Sequence, residues 1–559
     1  MGMAIPWLIK GGIDAVVEEQ GQATSVLKYP LLILGAALLQ GVFRYMWRVN
    51  MHGFSRRAEA DLRSSVFAHM ETLPLSAFQH SQTGDLMSRL TNDVQAVREL
   101  LGFGFLAVVD AAVIITASLC LMAAIDPWLA FWALLPMPFI TFTVRFFGGH
   151  IFRWSRDVQQ QLSKLSASVQ ENLAGIRVVQ SYAQEENQIR EFNRLSSEYM
   201  TKNLWLATLW GVFWPLMRVF SGVAAAVVLW LGGRQVLTGT MTLGEFVAFN
   251  GYLATLTWPL MALGRVVNQY QRGTAALSRI IEIMDLPPAP GYNGKATAAL
   301  DGAIQGAIEV RNLTFAYKEG APEALRDISV TIPAGATCGI IGDTGSGKST
   351  LVHLLMRLFE PPEGTILIDG TDLTRIPLRA LRDNVGFVSQ EIFLFSGTVK
   401  DNLLLGGRNP PSGAIEEACQ IAQLLPTIRQ FRRQYDTLVG ERGVRLSGGQ
   451  KQRVALARAI LKDPPILILD DVFASVDTET EDEILNQLAE FMEGRTTLLI
   501  SHRISTLRRA DLILYLSEGK IVEQGTHEEL LSRQGAYYRL YRKQQLAREI
   551  EELARAPRL

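Results

Sequence analysis

Apolar residues are spread unevenly along the chain. From Tyr29 to about Trp47 they run nearly unbroken, long enough for a helix that spans a bilayer, which takes about 20 residues. The helical pattern continues through Arg56, Arg57, Leu62, Val66 and Met70 to Leu73-Pro74. At ~1.5 Å per residue that helix reaches ~70 Å, over twice the ~30 Å hydrocarbon thickness, so it projects far into water on one side. Gly104 to Ala124 predicts a second span and Trp128 to Phe147 a third, with Pro136 and Pro138 inside it. The third continues as an amphipathic helix, with Leu162, Leu165, Val169, Leu173 and Ile176 at spacings of three and four. Leu206 to Leu231, containing Pro215, predicts a fourth, and Phe246 to about Val267, containing Pro259, a fifth. Proline is tolerated in a span where neighbours re-satisfy the freed backbone groups. Met1 to Ile9 is apolar but too short to cross, and Gly11 to Lys28 is polar and acidic. Five spans and a stub lead us to expect that the stub is the outer end of a first helix whose beginning is missing.

After about residue 285 the pattern changes. Leu286-Pro287-Pro288-Ala289-Pro290-Gly291 and a small-residue run to Gly306 make a linker. Ile308 to Tyr317 alternates as a strand should, and short apolar runs bounded by turn signals follow. The fold class is therefore a membrane all-α bundle fused to an α/β domain. We expect a membrane domain with long helical extensions over 1–285, a linker over 286–306, an α/β domain over 307–540 and a charged helix over 541–559. The stretch from Tyr537 to Leu559 reads as a solvated tail helix.

Composition agrees with a membrane protein. Of 559 residues 48% are hydrophobic and 19% charged, low for a soluble chain. Most Trp and Phe lie before about residue 290. A net charge of −1 gives no sign of nucleic-acid binding. Cys120, Cys338 and Cys419 lie far apart in apolar or helical contexts, and read as core residues rather than a disulfide framework or metal site. Basic residues set the orientation. Arg44, Arg48, Arg56, Arg57, Arg63, Arg89 and Arg98 flank one side, as do Arg145, Arg153, Arg156, Lys164 and Arg177, and the opposite loops have almost none. The positive-inside rule makes the long extensions cytoplasmic.

The chemistry centres on Gly342-Asp343-Thr344-Gly345-Ser346-Gly347-Lys348-Ser349-Thr350, between the apolar run Cys338–Ile341 and a helical pattern from Leu351. Strand, glycine-rich loop and helix are the context a G-x-x-x-x-G-K-[ST] match requires. Glycines admit phosphate close to the backbone, the helix N-terminus adds its dipole, Lys348 reaches the β/γ-phosphates and Ser349 holds Mg²⁺. Tyr317, ending its strand ahead of this loop, is a candidate to stack on the base. The run Pro465–Leu469 ends in Asp470 and Asp471, delivering acids where α/β sheets place ligands. Asp470 is the candidate Mg²⁺ ligand and Asp471 the candidate base for water. Leu499-Ile500-Ser501-His502 puts a histidine at another strand end, a candidate γ-phosphate contact. Leu446-Ser447-Gly448-Gly449-Gln450 opens a helix and forms a second phosphate-binding arrangement. One nucleotide hardly needs two, and two head-to-tail copies of the domain would give each nucleotide one of each.

In the membrane half, Arg218, Asp110 and Asn250 lie within spans. Such groups face a bundle interior or wet cavity, or form a satisfied structural pair, with Asp110 near enough to an interface to be wet. Trp205, Trp210, Phe213, Trp214 and Phe220 suit an amphipathic cargo, although aromatics in spans also serve packing and lipid contact.

These motifs together resemble the nucleotide-binding domain of ABC transporters over 307 to about 540. The phosphate loop, Gln390 in Val388-Ser389-Gln390-Glu391, the signature Leu446–Gln450, Asp470, Asp477 in Ala474-Ser475-Val476-Asp477, and His502 stand in family order. The membrane half resembles type IV ABC exporters, with Thr83–Val94 typical of their first intracellular loop and Glu171–Val179 of their second. The resemblance implies six spans per half, domain-swapped helices, coupling helices near 76–82 and 181–187, ATP and Mg²⁺ as ligands with Gln390 joining Ser349 and Asp470 at the metal, and a D-loop role for Asp477. It places the chain in a bacterial cytoplasmic membrane with its ATPase inside. One departure stands out. The family usually has Glu after the Mg²⁺ aspartate, and this chain has Asp471, one methylene shorter. A weak base beside an intact signature resembles one half of a heterodimeric exporter, whose partner carries Glu. A slow homodimeric lipid or drug flippase and a regulatory or channel-type ABC protein are the alternatives.

Overall fold

The structure, a computed structural model, describes residues 2–18, 23–80, 82–292, 304–318, 320–407, 410–440, 443, 446–473 and 478–555. They form two compact units, Met1–Glu71 with Thr83–Leu286, and Thr72–Gln82 with Pro287–Leu559.

The described part of the first unit is helical. Helix Ala23–Met70 runs 48 residues in one piece, the single long extension the pattern predicted. Helix Phe105–Ile125 follows Thr83–Ser88 and π-helical turns at Arg89–Asp93 and Leu100–Gly104. The expected third span is interrupted, as Pro127–Leu134 and then Met137–Ala174. Pro136 and Pro138 carry no backbone N–H, so the ladder breaks there. Pro215 sits within the 53-residue helix Glu185–Leu237 without ending it. Among the described residues, four helices are long and apolar enough to cross a membrane: Leu27–Met70, Thr83–Ile125, Pro127–Ala174 and Glu185–Leu237. The fifth expected span lies on helix Leu243–Met284.

That helix packs against Phe105–Ile125 and against Ala4–Glu18, while Glu185–Leu237 lies along Met137–Ala174. Met122, Leu129, Ile140, Phe213, Met217 and Phe249 fill the space between. The N-terminal helix extends to Glu18, beyond the apolar stub, because polar contacts hold it. Lys10 pairs with Glu245 at 2.9 Å, Asp14 accepts from the Gly244 N–H at 3.0 Å, and Tyr252 donates to the Met3 carbonyl at 3.0 Å.

Two expectations here need correction. The coupling helix placed at 181–187 is instead a short helix Ile176–Ser181, a turn with Ala183 at φ +51°, and the start of Glu185–Leu237. Cys120 is exposed on its span. In a membrane segment the outward face is apolar too, so an apolar neighbourhood does not mark the inside.

The second unit holds short helix Leu75–His80 and two sheets. β1 (Ile308–Phe315), β2 (Leu325–Ile332), β4 (Ile366–Ile368) and β5 (Thr371–Asp372) form an antiparallel sheet in the order β2-β1-β4-β5. β3 (Thr337–Gly342), β6 (Val385–Val388), β7 (Ile466–Asp470), β8 (Thr496–Ile500), β9 (Leu512–Ser517) and β10 (Lys520–Gly525) form the other, in the order β10-β9-β3-β8-β7-β6. β9, β3, β8, β7 and β6 are parallel. β7 and β8 are buried throughout, as continuous apolar runs in parallel sheets are.

Helix Ala536–Arg555 closes the chain. Its base is not solvated as expected. Tyr537 is fully buried, its hydroxyl 2.8 Å from His527 Nδ1, and Tyr541 packs edge-on against the same imidazole. The charged pattern concealed a docked aromatic stripe one helical repeat wide.

Candidate functional site

The order of the parallel sheet assembles the site. Ile340 pairs with Ile500, Asp470 with Ile500, and Val388 with Leu469. The C-terminal ends of β3, β8, β7 and β6 therefore stand side by side. Each is followed at once by residues singled out above: the glycine-rich loop, His502, Asp470-Asp471 and Gln390.

The loop from Gly342 leads into helix Lys348–Leu355. Gly347 has φ +99°, and a Cβ there would lie 2.7 Å from the Ala324 carbonyl, so no other residue fits. Gly345 has φ +81° with open space around a Cβ position. Asp343 and Thr344 are exposed beside it, and Ser346 is buried. The Lys348 ammonium is buried and donates to the Gly342 carbonyl at 2.9 Å and the Asp343 carbonyl at 2.7 Å. Burial pulls its pKa down, against the opposing fields of Asp470, Asp343 and Asp471.

Asp470, the last residue of β7, is buried, and burial pushes its carboxyl above the ordinary range. The neighbouring Asp471 pushes the same way, while a hydrogen bond from Ser349 works against the shift. Asp471 lies beyond the strand in the left-handed region, φ +49°, with its N–H donating to the Ile500 carbonyl at 3.0 Å. Aspartate tolerates that conformation better than most residues. The Thr350 hydroxyl lies 2.9 Å from that of Tyr317. The Tyr317 ring packs edge-on against Phe315 and Phe359 and is 42% exposed, which leaves ring surface for a base. Gln390 and His502 are exposed at their strand ends.

Leu446–Gln450 is built elsewhere. Ser447 caps helix Gly448–Leu461 through a reciprocal box, accepting from the Gln450 N–H at 3.3 Å while the Gln450 side chain accepts from the Ser447 N–H at 3.0 Å. That helix packs on Val399–Leu404, Ala414–Ile421 and β6. Leu446 is buried, Ser447 and Gly448 are exposed, and Gly449 is half-buried. Asp477 lies outside the described residues.

In the first unit Arg218 is exposed, off the face formed by Phe213, Met217, Ala224 and Val228. Asp110 is half-buried. Asn250 is half-buried and donates to the Phe246 carbonyl at 3.3 Å, a local helical contact. Trp210, Phe213 and Trp214 form one ring cluster, Trp205 stacks on Trp154, and Phe220 on Phe139.

Sequence reasoning passed over His353, half-buried on the helix after the loop within the field of Asp470, its pKa lowered by burial. It also passed over Glu481, 2% exposed, which binds Arg503 and Thr506 next to His502. Glu481 sits among several acids in Thr478–Glu483, and nothing in that pattern singles it out.

Fold and site together define a P-loop ATPase joined to a helical membrane unit. Residues 1–260 match the ABC transporter transmembrane region family and 325–474 the ABC transporter family. The "Probable multidrug resistance ABC transporter ATP-binding/permease protein YheI" of Bacillus subtilis is 36% identical over 97% of this chain and 92% of its own length. The ATP-dependent lipid A-core flippase of Syntrophus aciditrophicus is 34% identical over 97% of this chain and 89% of its own. A solved structure of a bacterial Atm1-family ABC exporter with ATP bound matches with TM-score 0.79 at 27% identity, covering 97% of this chain and 95% of that one. The chain belongs to the ABC transporter family, and within it to the exporters: an integral membrane protein that hydrolyses ATP to drive export.

Proposed function

We propose that this chain is one half of a heterodimeric exporter of amphipathic small molecules or lipids, and that the ATP site built on its own phosphate loop is the slower of two. The observation that carries this is Asp471. A base for hydrolysis takes a proton from water as the water oxygen attacks the γ-phosphorus and ADP leaves. At this position aspartate holds its carboxylate back by about 1 Å, and a misplacement of that size costs about 10²-fold in rate.

The other roles follow from chemistry. Lys348 and the loop N–H groups, Gly342 to Thr350, bind the β- and γ-phosphates, Tyr317 stacks on the base and His502 contacts the γ-phosphate. The oxygen donors Ser349, Asp470 and Gln390 suit a hard cation, and the existing Ser349–Asp470 hydrogen bond brings two of them together. They would hold Mg²⁺, which when bound neutralises phosphate charge. Ser447 and Gly449, heading an exposed helix N-terminus, serve the nucleotide of a partner, and Asp477 belongs to the same interface. The partner's catalytic residue after its own Mg²⁺ aspartate is Glu.

The membrane unit supports a partnered reading. Among the described residues none of the most apolar stretch of helix Leu27–Met70 is buried, which leaves it open to lipid or to a second chain. The aromatic clusters around Trp210 and Trp205 favour amphipathic cargo, in keeping with the drug and lipid substrates named for the relatives, and Arg218, Asp110 and Asn250 are candidates to line the path. Nucleotide binding closes two ATPase domains, hydrolysis releases them, and the membrane bundle is the bistable element. The bacterial cytoplasmic membrane is the setting, with the ATPase domain inside. Inside-out vesicles carrying the complex should accumulate an amphipathic dye only with ATP. Ion current through a bilayer without dye uptake would instead make it a channel.

A further inference from the structure

We propose that Gln544, on the C-terminal helix, is a positioning residue for His502. Both ends of its amide are spent on the loop that carries His502. Its Oε1 accepts from the Ile504 N–H at 3.0 Å, and its Nε2 donates to the His502 carbonyl at 2.7 Å. The helix is fixed for this purpose. Tyr537, Tyr541 and Gln544 fall at i, i+4 and i+7 on one face, with Tyr537 fully buried and both tyrosines packed on His527.

The loop is gripped from its other side by Glu481. That carboxylate binds Arg503, and accepts from the Thr506 hydroxyl at 2.5 Å. Within the loop, Ser501 Oγ accepts from the Arg503 N–H at 3.0 Å. Ser501, Ile504 and Thr506 on either side are buried, while His502 itself is exposed. A cleft of about 850 Å³, lined by Ile504, Thr506, Tyr541 and Gln544 among others, lies behind the loop. Its buried flanks and these hydrogen bonds together set where the His502 backbone stands, and the exposed imidazole has only its two side-chain torsions left to find a phosphate oxygen. Gln544 acts through His502 and has no contact with nucleotide of its own.

The proposal rests on His502 meeting the γ-phosphate, and the test separates the two. The full-length exporter, purified with whatever partner it brings, is photolabelled on ice with an azido-ATP, and label on this chain is displaced by ATP and by ADP. His502→Ala should remove much of the advantage of ATP over ADP. Gln544→Leu should weaken ATP by about threefold to tenfold, the worth of one or two hydrogen bonds, with ADP unchanged. Gln544→Glu should do the same, since it keeps the acceptor for Ile504 and replaces the donor to His502 with a second acceptor. This variant decides the matter if Gln544→Leu fails to fold. Added to His502→Ala, Gln544→Leu should have no further effect. A merely structural role would weaken ATP and ADP alike and add to His502→Ala, and either result overturns the proposal. So does a wild-type ATP-to-ADP ratio in both Gln544 variants. If His502→Ala keeps that ratio, the reading of His502 falls and the proposal with it.

Discussion

At the scale of single residues, the site has two buried charged groups, Asp470 and Lys348. Asp470 is pushed above, and Lys348 below, its ordinary pKa, burial being the first cause for each. The consequence for pH follows from the sign. A carboxyl whose folded pKa is raised gives its full stabilisation below its ordinary value of 3.8 and loses it as pH rises through the folded value. Without nucleotide, the ATPase unit should lose stability through this group as pH climbs above its ordinary value of 3.8. Binding of Mg²⁺ takes the ionised carboxylate, so the stabilisation by ATP with Mg²⁺ over ATP with a chelator should grow across the same window. Thermal unfolding at a series of pH values measures this. Asp470→Asn should flatten the dependence, and an unchanged dependence would remove Asp470 from the metal. Much of this site was legible, because each member follows an apolar run that reads as a buried strand. The left-handed turn at Asp471 was not, nor was Gln544, which meets His502 across 42 residues of sequence. Contacts of that kind are made by tertiary packing, and local pattern carries no trace of them.

At the scale of elements, sequence and structure agree where one signal dominates. Helix Ala23–Met70 and the strands β3, β7 and β8 follow directly from unbroken apolar or helical periodicity. They diverge where two signals compete. Pro136 breaks its helix while Pro215 does not, and composition alone does not rank them. Tyr537 lies at the start of a charged helix yet is buried. Helix starts, by contrast, carry readable chemistry. Thr242 accepts from the Glu245 N–H at 3.0 Å and Glu245 accepts from the Thr242 N–H at 3.0 Å, a reciprocal box at the head of Leu243–Met284. Thr242→Ala should lower stability by about 1 kcal/mol and Thr242→Ser by much less. Thermal unfolding of the membrane-embedded protein checks both, and equal losses would show that the hydroxyl is not what matters.

At the scale of the whole molecule, the chain carries two incomplete halves of a machine. On the proposed reading it has a phosphate loop with a short base and a signature helix that serves a partner, and among the described residues none of the most apolar stretch of its first long span is buried. Domain class and the order of motifs were plain from sequence. What the sequence left open is how many chains share the work, because a surface that awaits a partner and one that awaits lipid have the same composition. The most direct measurement is steady-state ATP turnover of this polypeptide purified alone in lipid nanodiscs, as wild type and as Asp471→Glu. The account predicts slow turnover that rises about tenfold or more when the missing methylene is restored. Fast turnover by the wild-type chain alone, unchanged by Asp471→Glu, would contradict it.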